Sequence, residues 1–216
     1  MHQCVYQCVA QDCIMVSCGE SDCIWWLCNQ ETEILASGTF PISLNKHEDS
    51  IICTCMLSGE IRVYTEGMKL THIINVEGMP MYALMHNGYY YCAHTIEHKG
   101  YGLLSVYDAQ GKLAGQLHVG MMPAMLKPLG DTRMLVANTG NSTLCVVNLA
   151  SLECEAWVDV GQMPDDIVFD REHGRIFVSC MMEDAGVYVL NMQGDLDAIL
   201  TTGAEPRGMC LGENVL

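Results

Sequence analysis

Asp165, Asp166 and Arg207 stand out by residue type and by their place in a recurring pattern. A carboxylate pair beside a guanidinium binds a polar ligand through charge-assisted hydrogen bonds, or positions a water for hydrolysis. The same groups also cap turns and bridge neighbouring elements as structural ion pairs, which is the commoner use of such residues. Cys18, Cys55, His94, Asn138 and Cys180 occupy matching positions of the pattern and form a chemically plausible zinc set. Matching positions on successive sheets lie on the order of 10 Å apart, whereas zinc needs ligands at about 2.0–2.3 Å. These residues are therefore expected to pack between sheets rather than hold metal. His94, Glu97 and His98 share a long loop, His94 to Gly102, but two histidines four apart in a loop do not share a helix face. No G-x-S-x-G, P-loop, H-E-x-x-H or dinucleotide G-x-G-x-x-G sits in a fitting context, and no C-x-x-C-H is present for covalent haem. No cofactor and no metal is expected.

The elements that carry these residues repeat. Val119-Gly120-Met121-Met122-Pro123 recurs as Val160-Gly161-Gln162-Met163-Pro164 and as Thr202-Gly203-Ala204-Glu205-Pro206. Weaker copies are Ser37-Gly38-Thr39-Phe40-Pro41 and Glu77-Gly78-Met79-Pro80, so the prolines 41, 80, 123, 164 and 206 are spaced by 39, 43, 41 and 42 residues. After each proline comes an apolar stretch and a polar turn. A strongly β-prone run such as Arg175-Ile176-Phe177-Val178-Ser179 follows, then a third run such as Val187-Tyr188-Val189-Leu190. A glycine turn and a fourth run lead into the next proline. Four short strands per unit at a period near forty read as blades of an all-β propeller, each too thin to bury its faces alone. No long 3.6-residue apolar stripe with caps competes with this assignment. Glycine is expected to supply the backbone angles of the crossing between blades, and proline the start of each inner strand.

The expected blades are residues 1–40, 41–79, 80–122, 123–163 and 164–205, with 206–216 as the inner strand of a further one. Either five blades close with an overhanging strand, or the chain is part of a longer propeller of six or seven blades. The second is favoured, because an overhanging strand presents an unpaired edge.

The combination of Val-Gly-x-x-Pro, Arg133-Met134-Leu135-Val136-Ala137-Asn138 and Ser142-Thr143-Leu144-Cys145-Val146-Val147-Asn148 resembles the YVTN-type β-propeller repeat. The match is good over residues 119–206 and thinner before; Cys55, His94 and Cys180 replace the core asparagine in other copies. Such repeats occur in surface-layer proteins, periplasmic binding propellers, haem d1-type propellers and lactonases of 6-phosphogluconolactone. The resemblance implies an architecture far more than an activity.

In a propeller the crossing loops and the loops after each second strand share the face around the central channel. Residues just after each proline are expected to ring its mouth, among them Ser43, Tyr82, Asp165, Asp166 and Arg207, with His94 nearby. The expected function is a non-enzymatic scaffold that binds a protein or a small polar ligand there. The alternative is a lactonase-like hydrolase acting on a sugar lactone such as 6-phosphogluconolactone.

The 216 residues carry 26 acidic against 10 basic side chains, a net charge of −16, which disfavours nucleic acid and anionic membrane as partners. No apolar run reaches the roughly 20 residues of a membrane helix. Met1-His2-Gln3-Cys4 lacks the character of a secretory leader, so a cytoplasmic location is expected. The 13 cysteines include six at near-even spacing from Cys4 to Cys28 without a C-x-x-C, and are expected to act as small buried hydrophobes. The 16 methionines are expected to fill core in the same way. Trp25 and Trp26 point to opposite faces of one strand, which leaves one of them, like Trp157, for a partner contact or equally for an edge of the blade stack. Open blade edges allow a homo-oligomer.

Overall fold

The computed structural model describes residues 5–10, 13–28, 31–96, 100–182 and 185–212, and of 5–10 the backbone alone. Glu97 and His98 of the candidate loop lie outside the described residues. Twenty strands form five antiparallel four-stranded meanders, the blades of a β-propeller. The first sheet holds β1 (Val5–Ala10), β2 (Cys13–Cys18), β3 (Cys23–Cys28) and β4 (Glu31–Ala36). The second holds β5 (Pro41–His47), β6 (Ser50–Cys55), β7 (Glu60–Thr65) and β8 (Leu70–Asn75). The third holds β9 (Met79–His86), β10 (Tyr89–Thr95), β11 (Gly102–Tyr107) and β12 (Leu113–Val119). The fourth holds β13 (Pro123–Leu129), β14 (Arg133–Asn138), β15 (Thr143–Asn148) and β16 (Glu153–Asp159). The fifth holds β17 (Pro164–Asp170), β18 (Arg175–Cys180), β19 (Gly186–Asn191) and β20 (Leu196–Thr201). The chain divides into two compact units, residues 1–116 and 117–216. Among the described residues no helix is long and apolar enough to cross a membrane.

Strand alternation sends each second strand's side chains to two faces, and a face is apolar where another sheet packs on it. In the first unit, Met15 and Ile24 pack on Ile51, Cys53 and Tyr64 of the second sheet. The opposite face of that sheet, through Ile52, Ile61 and Val63, packs on Tyr90, Cys92 and Tyr107 of the third. In the second unit, Leu135, Ala137 and Leu144 meet Ile176, Val178 and Leu190 across the fourth and fifth sheets. Each fully buried aliphatic side chain contributes about 1.5–3 kcal/mol. The outermost strands stay wet, and every residue of β20 is exposed.

Three expectations change. In four of the five crossing turns the positive-φ residue is not the glycine but the residue before proline, whereas before Pro80 it is Gly78, φ 90°, as expected. Phe40, Met122, Met163 and Glu205 have φ of 57°, 49°, 53° and 54°. Gly120 and Gly161 lie outside the left-handed region and are required by crowding instead. A Cβ on Gly120 would lie 2.5 Å from Asn138 Cγ, and one on Gly161 would run into the Tyr188 ring and 2.8 Å from Cys180 Cβ.

Residues 206–212 form no strand, so the expected extra inner strand is not formed there. The segment is held by a side chain rather than a ladder: the Met209 N–H donates to Asp166 Oδ2 at 2.6 Å.

Cysteines 18, 23, 53, 55, 92, 145 and 180 are buried thiols as expected, but Cys13 and Cys28 are joined in a disulfide. The two sit directly opposite each other in the β2–β3 ladder, where strand pairing alone brings them within reach.

Candidate functional site

The local geometry of the loop face begins with the repeated proline. Pro41, Pro80, Pro123 and Pro164 each pair with the last or near-last residue of the second strand: Cys55, His94, Asn138 and Cys180. The register then slips by one in all four sheets, leaving Ile42, Met81, Ala124 or Asp165 as the extra residue. A bulge of this kind unpairs one residue and re-aims the strand that carries it. Proline's missing N–H makes the slip cheap, since the ladder loses no donor there.

The crossing turn and the loop after the second strand are tied by backbone bonds. Thr139 N–H donates to Met122 O at 3.0 Å and Gly140 N–H to Met121 O at 2.9 Å. Met181 N–H and Met182 N–H donate to Met163 O and Gln162 O at 3.2 and 3.3 Å. Side chains complete the turns: Met121 N–H donates to Asn141 Oδ1 at 2.8 Å, and Phe40 N–H to Asp22 Oδ1 at 2.8 Å. These loops therefore form a fixed surface in each unit.

Four of the six expected site residues are engaged within the fold. Ser43 is buried and donates to Thr54 Oγ1 at 2.8 Å. Tyr82 OH donates to Asn45 Oδ1 at 2.7 Å, and Asn45 Nδ2 donates to Ala83 O at 2.8 Å, joining the inner strands β5 and β9. His94 is fully buried, with Nδ1 at 2.8 Å from Glu77 O and Nε2 at 2.6 Å from Ser105 Oγ. Burial lowers its pKa from the ordinary value, against the pull of Glu77, so the ring is held neutral. Asp166 accepts from its neighbour Ile167 N–H at 2.8 Å through Oδ1 and from Met209 N–H through Oδ2, while its own N–H donates to Ser179 Oγ at 3.1 Å.

Asp165 and Arg207 remain. Asp165 is the bulged residue of β17, and Arg207 is exposed. Burial raises the Asp165 carboxyl above its ordinary value, Arg207 draws it partly back, and Asp166 adds to the rise. Asp165, Asp166 and Arg207 thus belong to the second unit, where their charges act on the Asp165 carboxyl; Ser43, Tyr82 and His94 belong to the first. Among the described residues no three His, Cys, Asp or Glu side chains converge as a metal site. A cavity of about 360 Å³ between the fourth and fifth sheets, lined by Leu135, Leu144, Ile176 and Glu155 among others, contains none of the expected site residues.

What the residue pattern missed is the methionines. Met121, Met122, Met163 and Met182 are exposed rather than core, all on the tied loops of the second unit. Their place in the turn was the available signal, since the two residues between Gly and Pro fall on a crossing loop and not on a strand.

No family model matches the chain, and no curated protein matches its sequence. Solved structures do match in fold. A Bacteroides uniformis protein to which 6-phosphogluconolactonase activity is ascribed superposes with a TM-score of 0.75 at 12% identity, covering 96% of this chain and 74% of that one. A chain of a mitotic checkpoint complex gives 0.77 at 9% identity, covering 90% and 65%. The WD40 β-propeller domain of Doa1 gives 0.75 at 13% identity, covering 93% and 69%. The chain is similar to propellers of both scaffold and lactonase-like description, and these likenesses establish the fold alone.

Proposed function

We propose that this chain is a binding propeller of YVTN-type repeats, without catalytic activity, that receives a protein partner on the loop face of its second unit. The observation that carries this reading is the group of four exposed methionines, Met121, Met122, Met163 and Met182, on loops whose backbones are fixed by hydrogen bonds. Methionine is unbranched and polarisable, and adapts to an apolar partner surface. A rigid base carrying adaptable side chains combines low ordering cost with broad fit. The engagement of Ser43, Tyr82, His94 and Asp166 in internal bonds also supports binding over chemistry. Among the neighbours, the checkpoint-complex chain is a propeller found within a protein assembly.

The test is incorporation of a diazirine analogue of methionine followed by irradiation in cells. Partner cross-links should map to these four positions and vanish in a Met122→Lys/Met182→Lys double variant. Cross-links elsewhere only, or their persistence in the variant, would sink the reading. One observation favours a second reading: burial raises the Asp165 carboxyl, and the charge of Arg207 draws it partly back. A lactonase-like hydrolase would use that pair on a phosphorylated sugar lactone. Turnover of 6-phosphogluconolactone above its spontaneous rate, abolished by Asp165→Asn, would establish that reading and displace the first.

A further inference from the structure

Strand register explains why a cavity of about 360 Å³ opens between the fourth and fifth sheets. In the first unit, the second sheet packs on the third through Ile52, Ile61 and Val63, with Tyr90 and Tyr107 opposite them. The His72 ring meets Tyr90 edge-on at 5.6 Å. Tyr90 pairs with Tyr107 in its ladder, as Ile176 pairs with Leu190 in the fifth sheet. His72 pairs with Val63, as Ala156 pairs with Val146. Ala156, Ile176 and Leu190 therefore stand where the first unit has three rings. The facing wall keeps its size, since Ile52, Ile61 and Val63 become Leu135, Leu144 and Val146.

The sheets do not close up over the missing rings. A Cβ on Gly111 would lie 2.9 Å from Ile74 Cγ1, and one on Gly194, in the matching turn, 2.7 Å from Val158 Cγ2. The two sheet pairs are thus held at nearly the same separation along that edge. Phe169 and Met192, in place of Met85 and Ala109, return part of the lost volume, and the rest stays open. The floor of the cavity, Leu135, Leu144, Ile176 and Leu190, is apolar and at most 3% exposed.

The more exposed lining residues Arg133, Glu155 and Gln193 form its mouth. Among the described residues no ion pair engages the Arg133 guanidinium. Glu155 is the residue skipped in the β15–β16 ladder, a bulge that re-aims its side chain. Its Oε1 accepts from Asn148 Nδ2 at 2.7 Å, and a carboxylate has further acceptor capacity. Arg133 begins β14 and Gln193 lies in the β19–β20 turn, so the mouth is at the strand ends away from the crossing loops and their methionines.

We propose that this cavity binds a free aromatic α-amino acid, its ring in the apolar space, its carboxylate on Arg133 and its ammonium on Glu155. An apolar cavity with a lining of this kind stays dry and accepts an aromatic ring. A guanidinium grips a carboxylate through paired N–H donors. Ligand sites run from roughly 300 to 1,000 Å³, so this volume suits one ring with a short polar head. A plain hydrocarbon would leave both mouth charges unused, and an aromatic acid without an amine would leave Glu155 unmatched.

Equilibrium dialysis of the full chain against radiolabelled phenylalanine, tyrosine and tryptophan should show saturable binding of at least one of them, at one site per chain. Phenylacetate and phenethylamine each carry one of the two charges. Both should bind at least about tenfold more weakly than phenylalanine, as loss of a hydrogen bond to a charged group implies. Arg133→Gln and Glu155→Gln should each weaken amino-acid binding by a similar factor. Ile176→Tyr combined with Leu190→Tyr restores the rings of the third sheet and should abolish binding, while circular dichroism reports that the variant folds. Leu190→Tyr alone takes its place should the double variant fold poorly. Absence of saturable binding overturns the proposal. So does binding that persists unchanged in the filled variant, or phenylacetate that binds as tightly as phenylalanine.

Discussion

His94 is fully buried with a carbonyl on one ring nitrogen and a hydroxyl on the other. Its depressed pKa means that the unfolded chain binds a proton more readily than the native protein does. Stability from this residue is therefore complete above the ordinary value of 6.5 and is lost as pH falls from there through the lower native value. Urea midpoints measured between pH 7.5 and 5.5 should fall less steeply in His94→Gln than in the wild type. Equal slopes would show that the ring is not held neutral. Ser105 is shared by the same network, because Gln116 Nε2 also donates to it at 3.0 Å. Such fully partnered buried groups fix a unique arrangement, and cutting one strands the others.

The crossing turn carries backbone strain in four of its five copies. Phe40, Met122, Met163 and Glu205 adopt a left-handed conformation that costs a residue with a side chain about 1–2 kcal/mol. The glycine two residues earlier allows the turn to lie against the second-strand end. Gly161→Ala is expected to lower stability by about 1–3 kcal/mol, through collision with Tyr188 and Cys180. Chemical unfolding measures this, and an unchanged midpoint would show that the turn can shift away. In the first sheet the Cys13–Cys28 disulfide closes a 15-residue separation across β2 and β3. Constraint of a loop this size contributes about 3 kcal/mol.

At the scale of the whole molecule, a net charge of −16 places like charges across a chain whose interior is apolar. Self-repulsion weakens the compact state, and salt screens it over a Debye length of about 10 Å at 0.1 M. The melting temperature should rise between 0.02 and about 0.3 M sodium chloride, a range over which that screening length shortens several-fold. A flat or falling response in a differential scanning experiment would show that structural ion pairs such as Lys46–Glu66, 2.6 Å apart, outweigh the repulsion.

Proline recurring near every forty residues, alternating apolar runs and turn residues between them were sufficient to read the blades and their strand order, because hydrophobic period and turn chemistry are local properties. The equivalence of Cys18, Cys55, His94, Asn138 and Cys180 was equally legible, as a matter of counting. What needed the tertiary structure was every property set by a neighbour distant in the chain. Asp166 looked like a free carboxylate until Met209, 43 residues on, was seen to occupy it. His94 was expected near the channel mouth until Glu77 and Ser105 were seen to close around it, and Met182 looked like core until its loop emerged on the surface. Period and propensity act over a few residues, whereas burial and hydrogen-bond partnership are decided by which segments meet in space.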